Sequence, residues 1–127
     1  MLNLGNKQVI LRCGATDMRK SINGLMTIVE SDFSLDPFEP VAYVFCNRKR
    51  DRIKILVWDG DGFWLCFKRL EKGHFRWPSA RAGSETHSTE GDEQTITLTQ
   101  EELSVLLNGV KVELKLRRNE VFERKII

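Results

Sequence analysis

The chain has 127 residues, of which 41% are hydrophobic and 30% are charged, and its formal net charge at pH 7 is +2. This length suits one globular domain, and no apolar run reaches the roughly 20 residues that a membrane-spanning helix needs. The first residues lack a basic flank followed by an apolar stretch, so we expect a cytoplasmic protein without a signal peptide and without membrane contact.

The first predicted elements are a strand and an amphipathic helix. Gln8–Arg12 is a short β-branched run that ends in a glycine turn, as a strand does. Thr16 or Asp17 is suited to cap a helix, and the apolar residues that follow recur at helical spacing. The pattern predicts a helix from Asp17 to about Ser31, ended by the two prolines of LDPFEP.

The middle of the chain predicts an antiparallel meander, because short apolar runs alternate with turn residues. The turns between these runs are NRKRD, DGDG and EKG. The predicted strands are Val41–Cys46, Arg52–Trp58, Phe63–Leu70 and His74–Trp77.

The region after the meander changes in composition. Residues 79–93 are rich in Ser, Gly, Thr and Glu, which predicts a flexible loop. Gln94–Leu98 alternates as a strand does, and Thr99 with Glu102 forms the capping-box pattern that opens a second helix.

The last predicted strand is Val110–Leu116, where apolar and charged residues alternate, and a charged tail follows it. We find no internal repeat and no second-domain boundary. The sequence therefore predicts one α+β domain over residues 1–127, an antiparallel β-meander sheet with two covering helices.

The three cysteines do not form a metal or disulfide pattern. Cys13, Cys46 and Cys66 are widely spaced, with no CxxC pair, and each lies in an apolar stretch. We predict free, buried thiols, and we expect no cofactor.

Two aspartates have the spacing of a metal site. Asp59 and Asp61 are paired in DGDG, and Asp17 is a candidate third ligand. The same four residues suit a tight turn, because glycine supplies positive φ and aspartate tolerates turn geometry. We favour the turn and keep a metal nuclease as the weaker alternative. There is no GxSxG and no phosphate-binding glycine loop, so neither nucleophilic catalysis nor nucleotide binding has support in the sequence.

A basic cluster is the main candidate functional feature. Between residues 48 and 76, nine Lys and Arg residues stand against four Asp and Glu. Such a cluster contacts nucleic-acid phosphates or forms a solvated sheet face. Trp58, Trp64 and Trp77 are able to stack on unpaired bases, although core packing is the favoured interpretation. The predicted contact residues are Arg48, Lys49, Arg50, Arg52, Lys68, Arg69, Lys72 and Arg76, with Arg19 and Lys20 as additions.

Three blocks of sequence also show a family resemblance. They are CGATDMRKSINGL (13–25), DRIKILVWDGDGFWLCFKRLEKGHFRWP (51–78) and LTQEELSVLLNGV (98–110). In this order they resemble the small TnpB-type, orf-two-like accessory protein of the insertion sequence sixty-six family of bacterial transposons. The tail at residues 111–127 diverges from the family pattern.

The resemblance implies an accessory protein for DNA transposition without catalytic chemistry of its own, so we expect no enzyme activity and no catalytic residues. In such elements a separate, larger DDE-type transposase performs strand transfer. Our first hypothesis is that the basic hairpins bind transposon DNA. The alternative is a protein-interaction module that binds the transposase or another accessory protein.

Overall fold

The computed structural model describes residues 4–78, 86–88 and 94–108. These residues form a mostly antiparallel six-stranded sheet and two helices, which confirms the predicted α+β class. The strands are β1 (Gln8–Arg12), β2 (Val41–Cys46), β3 (Arg52–Trp58), β4 (Phe63–Arg69), β5 (Thr86–Ser88) and β6 (Gln94–Leu98). The helices are α1 (Ile22–Thr27), which continues as a π-helical turn over Ile28–Asp32, and α2 (Gln100–Leu107).

The strand order in the sheet is β4-β3-β2-β1-β6-β5. The predicted meander is confirmed for β2, β3 and β4, which pair in sequence as antiparallel neighbours. β1 differs, because it pairs with β2 in parallel, with Val9 opposite Ala42. The helical connection between these two strands is long enough to return the chain to the same end of the sheet.

Side chains alternate between the two faces of the sheet, and each face has its own core. On the face covered by α1, which we call the α1 face, Tyr43 and Leu56 pack with Leu25. On the opposite α2 face, Val44 packs with Leu103. All six residues of β2 are buried, since this strand lies inside the sheet with both faces covered.

The predicted start of the first helix at Asp17 is wrong. The helix begins at Ile22, after the N-cap Ser21. The Asp17 carboxylate instead accepts a hydrogen bond from the backbone N–H of Arg19 at 2.9 Å, and this local turn competes with helix formation. Neither helix of the described ranges is long and apolar enough to cross a membrane.

The predicted strand His74–Trp77 is also wrong. Gly73, at φ +76°, turns the chain away from β4. The N–H of Phe75 then bonds the Arg50 carbonyl at 2.7 Å, and the Trp77 indole N–H bonds the Arg12 carbonyl at 2.9 Å. Phe75 is 1% exposed in the α2-face core, so this segment crosses toward β1 instead of extending the meander.

The C-terminal predictions have mixed outcomes. β6 and α2 form as expected, and Thr99 and Glu102 make both hydrogen bonds of the capping box. The predicted loop at 79–93 contains β5, which pairs with β6, so the loop prediction is wrong at residues 86–88. The remaining loop residues, the predicted strand Val110–Leu116 and the tail 111–127 lie outside the described residues.

Candidate nucleic-acid interface

A buried asparagine organises the turn between β2 and β3. The Oδ1 of Asn47 accepts hydrogen bonds from the backbone N–H groups of Asp51 and Arg52, both at 3.0 Å. Its Nδ2 donates to Asp51 Oδ1 at 2.7 Å, and this bond lowers the pKa of the Asp51 carboxyl. The turn therefore has a fixed shape, and Arg48 and Lys49 at its tip are exposed.

Arg50 belongs to the same turn but points into the protein. Its backbone has φ +61°, and its guanidinium donates to the carbonyls of Asn47 and Cys13, both at 3.4 Å. The guanidinium carbon also lies 5.6 Å from the ring centroid of Trp77. Arg50 thus links the turn to two other segments, unlike its exposed neighbours.

Arg52 and Arg69 are directly opposite each other on β3 and β4, on the α1 face. Within the described residues, each has one acidic partner: Arg52 Nη1 lies 3.7 Å from Asp51 Oδ1, and Arg69 Nη2 lies 2.9 Å from Glu71 Oε2. Like charges at opposed positions repel each other. The pair therefore concentrates positive charge where the two strands meet.

Lys68 lies on the other face from Arg69, because adjacent residues of a strand point in opposite directions. Its ammonium donates to the carbonyl of Leu107 at 2.7 Å. That carbonyl belongs to the last turn of α2, where a positive charge is favourable. The sequence grouped Lys68 with Arg69, and the pleat of β4 separates them.

The segment before α1 is fixed beside the β2–β3 turn. The N–H of Thr16 bonds the Cys46 carbonyl at 2.8 Å. The ammonium of Lys54, on the α1 face of β3, donates to the carbonyls of Met18 at 2.9 Å and Lys20 at 2.8 Å. Sequence reasoning missed Lys54, although a lysine within the apolar run RIKILVW, two residues after Arg52, was a usable signal.

Arg19 and Lys20 are both exposed in this segment, but they differ in charge environment. Arg19 forms a two-pronged ion pair with Asp17, with Nη2–Oδ2 at 2.8 Å and Nε–Oδ1 at 3.1 Å. Hydrogen bonding to Arg19 lowers the pKa of Asp17 to about 2 and in return raises the pKa of Arg19. Lys20 has no ion pair within the described ranges, so its charge is the more available to a ligand.

A groove of about 400 Å³ separates the two segments. Its cationic wall comes from the β2–β3 turn, and Asp17 is the acidic residue on the other side. It is lined by Ala15, Thr16, Asp17, Met18, Asn47, Arg48, Lys49 and Arg52. The fold thus places TDMRK and NRKRD, about 30 residues apart in sequence, on two sides of one depression.

The turn after β4 joins the same end of the sheet. The N–H of Leu70 donates to the Asp51 carbonyl at 2.8 Å, and the N–H of Phe75 donates to the Arg50 carbonyl at 2.7 Å. Lys72 and Arg76, on this segment, are exposed. We use the term basic end for the outward cations at this end of the sheet, which are Lys20, Arg48, Lys49, Arg52, Arg69 and Lys72.

The aspartates of DGDG form a tight turn at the other end of β3, as the sequence predicted. The Asp59 N–H bonds the Gly62 carbonyl at 2.8 Å, Gly60 has φ +83°, and Asp59 Oδ2 accepts from the Trp64 indole at 3.0 Å. Asp17 lies at the opposite end of β3, beside the basic end. Among the residues that the structure describes, no group of three His, Cys, Asp or Glu side chains is placed to hold a metal ion.

The tryptophans and cysteines are only partly as expected. Trp77 and Trp58 are partly buried, but Trp64 is 62% exposed, so core packing is wrong for Trp64. All three cysteines are free thiols, as predicted. Cys46 is fully buried, which raises the pKa of its thiol to about 11, whereas the other two are half-buried.

Comparison with known proteins identifies the family. The family model described as IS66 Orf2 like protein matches residues 7–117. The uncharacterized protein y4hO of Sinorhizobium fredii is 33% identical over 105 residues, which cover 83% of this chain and 82% of that relative. The uncharacterized protein y4jC of the same organism is 29% identical over 103 residues, covering 81% and 79%. No solved structure matches the chain. The chain therefore belongs to the family of IS66 Orf2-like proteins, as the three sequence blocks indicated, and this family suggests an accessory role in transposition.

Proposed function

We propose that this protein acts in IS66-type transposition as a non-catalytic accessory factor that binds transposon DNA through its basic end. Family membership supports the transposition role. The main support for DNA binding is that three segments distant in sequence converge at one end of the sheet. They bring together the tip of the β2–β3 turn, the turn after β4 and the segment before α1.

The charge distribution supports a polyanionic ligand. Arg48 and Lys49 are exposed and make no ion pair within the described part of the chain, while Arg52 and Arg69 stand opposite each other on the β3–β4 ladder. A row of phosphates would neutralise these charges together, and arginine adds bidentate hydrogen bonding.

The test is a salt titration of DNA binding by fluorescence anisotropy, with duplexes of the transposon end and of scrambled sequence. Each phosphate contact contributes about 0.9 to the slope of log affinity against log salt. The double variant Arg48→Ala with Lys49→Ala should therefore lower the slope by about 2. Lys7→Ala is the matched control, because Lys7 precedes β1 at the other end of the sheet. Absence of binding to either duplex at low salt would contradict the proposal.

A second candidate function is binding of the element's transposase, and an aromatic cluster far from the basic end favours it. Phe38 is 46% exposed, and its ring centroid lies 4.9 Å from that of Trp58 and 5.4 Å from that of Phe63. Exposed aromatic groups of this kind are common at protein interfaces. Co-purification with the transposase after nuclease treatment, lost in Phe38→Ala, would support this function. Co-purification that nuclease abolishes would instead indicate a DNA bridge.

A further inference from the structure

The outer edge of β4 is a long, exposed strand edge. Within the described residues, β4 pairs only with β3, over seven residues. Its side chains are poorly covered, with Trp64 62% and Phe67 54% exposed. Proteins usually protect such an edge or use it for pairing with another strand.

The β3–β4 ladder determines which backbone groups of β4 face outward. Hydrogen bonds from Leu70 N–H to Asp51 and from Asp59 N–H to Gly62 mark hydrogen-bonded pairs at its two ends. Such pairs alternate along an antiparallel ladder, so the even-numbered residues of β4 bond to β3. The odd-numbered residues direct their N–H and C=O groups to the open edge, and they are Phe63, Leu65, Phe67 and Arg69.

We propose that a second copy of this chain occupies this edge, so that two β4 strands pair antiparallel about a two-fold axis at Cys66. This register pairs all seven residues of each strand. It also places the outward-facing N–H and C=O groups of one β4 opposite those of the other β4. Across the axis the pairs are Phe63 with Arg69, Trp64 with Lys68, Leu65 with Phe67, and Cys66 with Cys66 of the second copy.

The side chains of β4 are complementary to themselves in this register. Each cation, Lys68 or Arg69, lies beside an aromatic ring of the other copy, and Leu65 meets Phe67. The two ends of β4 also differ in net charge, with Asp59 and Asp61 of the DGDG turn at one end, and three cations (Lys68, Arg69 and Lys72) against the single acidic Glu71 at the other. Antiparallel pairing sets the acidic end of each copy beside the basic end of the other, which attracts the two copies.

The backbone of Leu65 allows a selective test of the pairing. Because its N–H faces the open edge, Leu65→Pro removes a bond to the second copy and no bond to β3. Leu65→Ala keeps the N–H and is the matched control. Analytical ultracentrifugation of the full chain without DNA should show a dimer for the wild type and for Leu65→Ala. Leu65→Pro should weaken dimerisation by about tenfold or more, because the dimer loses one such bond from each copy.

Oxidative cross-linking tests the register directly and does not depend on the proline variant folding. In this register Cys66 lies opposite Cys66 of the second copy, in a pair without backbone hydrogen bonds. The two Cα atoms of such a pair are about 4.5 Å apart, which is within reach of a disulfide. Copper-phenanthroline oxidation should give a covalent dimer that persists in Cys13→Ser and disappears in Cys66→Ser. A monomer at all concentrations without this cross-link would overturn the proposal and would indicate that another segment or partner covers the edge. A dimer cross-linked only through Cys13 would also overturn it.

Discussion

Arg52 and Arg69 are placed directly opposite each other on β3 and β4, and the two guanidinium groups share the α1 face at the basic end. Like charges at facing positions disfavour a sheet, and here each arginine is partly compensated by its own carboxylate, Asp51 at 3.7 Å from Arg52 and Glu71 at 2.9 Å from Arg69. Under the proposed DNA-binding function, a phosphate backbone would neutralise both guanidinium groups together.

The first prediction is that Arg69→Gln weakens DNA binding without loss of stability. The Arg69–Glu71 pair is exposed and contributes little, whereas removal of one charge relieves the repulsion with Arg52. We expect the free energy of unfolding in urea to stay equal or rise by up to about 0.5 kcal/mol, and the salt slope of DNA binding to fall by about 0.9. Arg69→Lys, which keeps the charge, should retain the slope. A variant that loses stability and binds DNA normally would show that Arg69 is structural.

The second prediction separates Arg50 from Arg48, two residues apart in the same turn. Arg50→Ala removes two hydrogen bonds and the contact with the Trp77 ring, so it should lower the free energy of unfolding by about 1 to 2 kcal/mol. Arg48→Ala changes an exposed side chain and should stay within about 0.5 kcal/mol of the wild type. Urea unfolding measures both variants. Equal effects of the two would contradict the inward placement of Arg50.

The third prediction concerns the pKa of Asp17 and the stability of the protein at acidic pH. The Asp17 pKa is about 2 in the folded protein because Arg19 stabilises the carboxylate, against an ordinary value of 3.8. A depressed carboxyl pKa stabilises the folded state above the ordinary value, and this contribution is lost as pH falls from 3.8 toward 2. Arg19→Gln should raise the Asp17 pKa toward 3.8, as measured by NMR titration of the carboxyl carbon, and should reduce the dependence of stability on pH in that window.

The control for the acid prediction is Arg48→Gln. Arg48 lines the same groove as Asp17 but makes no hydrogen bond with it, so the Asp17 pKa should stay near 2. If both variants raise the pKa equally, the general positive field, and not the Arg19 ion pair, sets its value.

The fourth prediction compares the two glycines of DGDG. Gly60 has φ +83°, a conformation that alanine adopts with strain, so Gly60→Ala should destabilise the protein by about 1 kcal/mol. Gly62 does not have positive φ, and a Cβ there meets no atom within 4 Å, so Gly62→Ala should change stability by less than about 0.5 kcal/mol. Urea unfolding again measures both. DNA binding should be unaffected in either variant, because this turn lies at the far end of β3 from the basic end.

The elements with strong local patterns were predictable. The apolar runs of β2 and β3, the alternation of β6 and the Thr99–Glu102 capping box depend on residues close in sequence. The prediction that the first helix begins at Asp17 failed because a carboxylate that can cap a helix can equally form a local turn with Arg19. The prediction of a strand at His74–Trp77 failed because aromatic side chains suit a strand and equally suit a segment that crosses the sheet and fills the core.

The candidate site depended more on the fold. The sequence by itself determined the family, the basic composition of residues 48–76 and the tight turn at DGDG, because these follow from residue identity and local conformation. Only the tertiary structure decided that Lys68 and Arg69 lie on opposite faces, that Arg50 points inward, and that Lys54 of β3 binds the Lys20 carbonyl. These placements depend on strand pleating and on contacts between residues distant in the chain. A count of charges along the sequence gives no information about either.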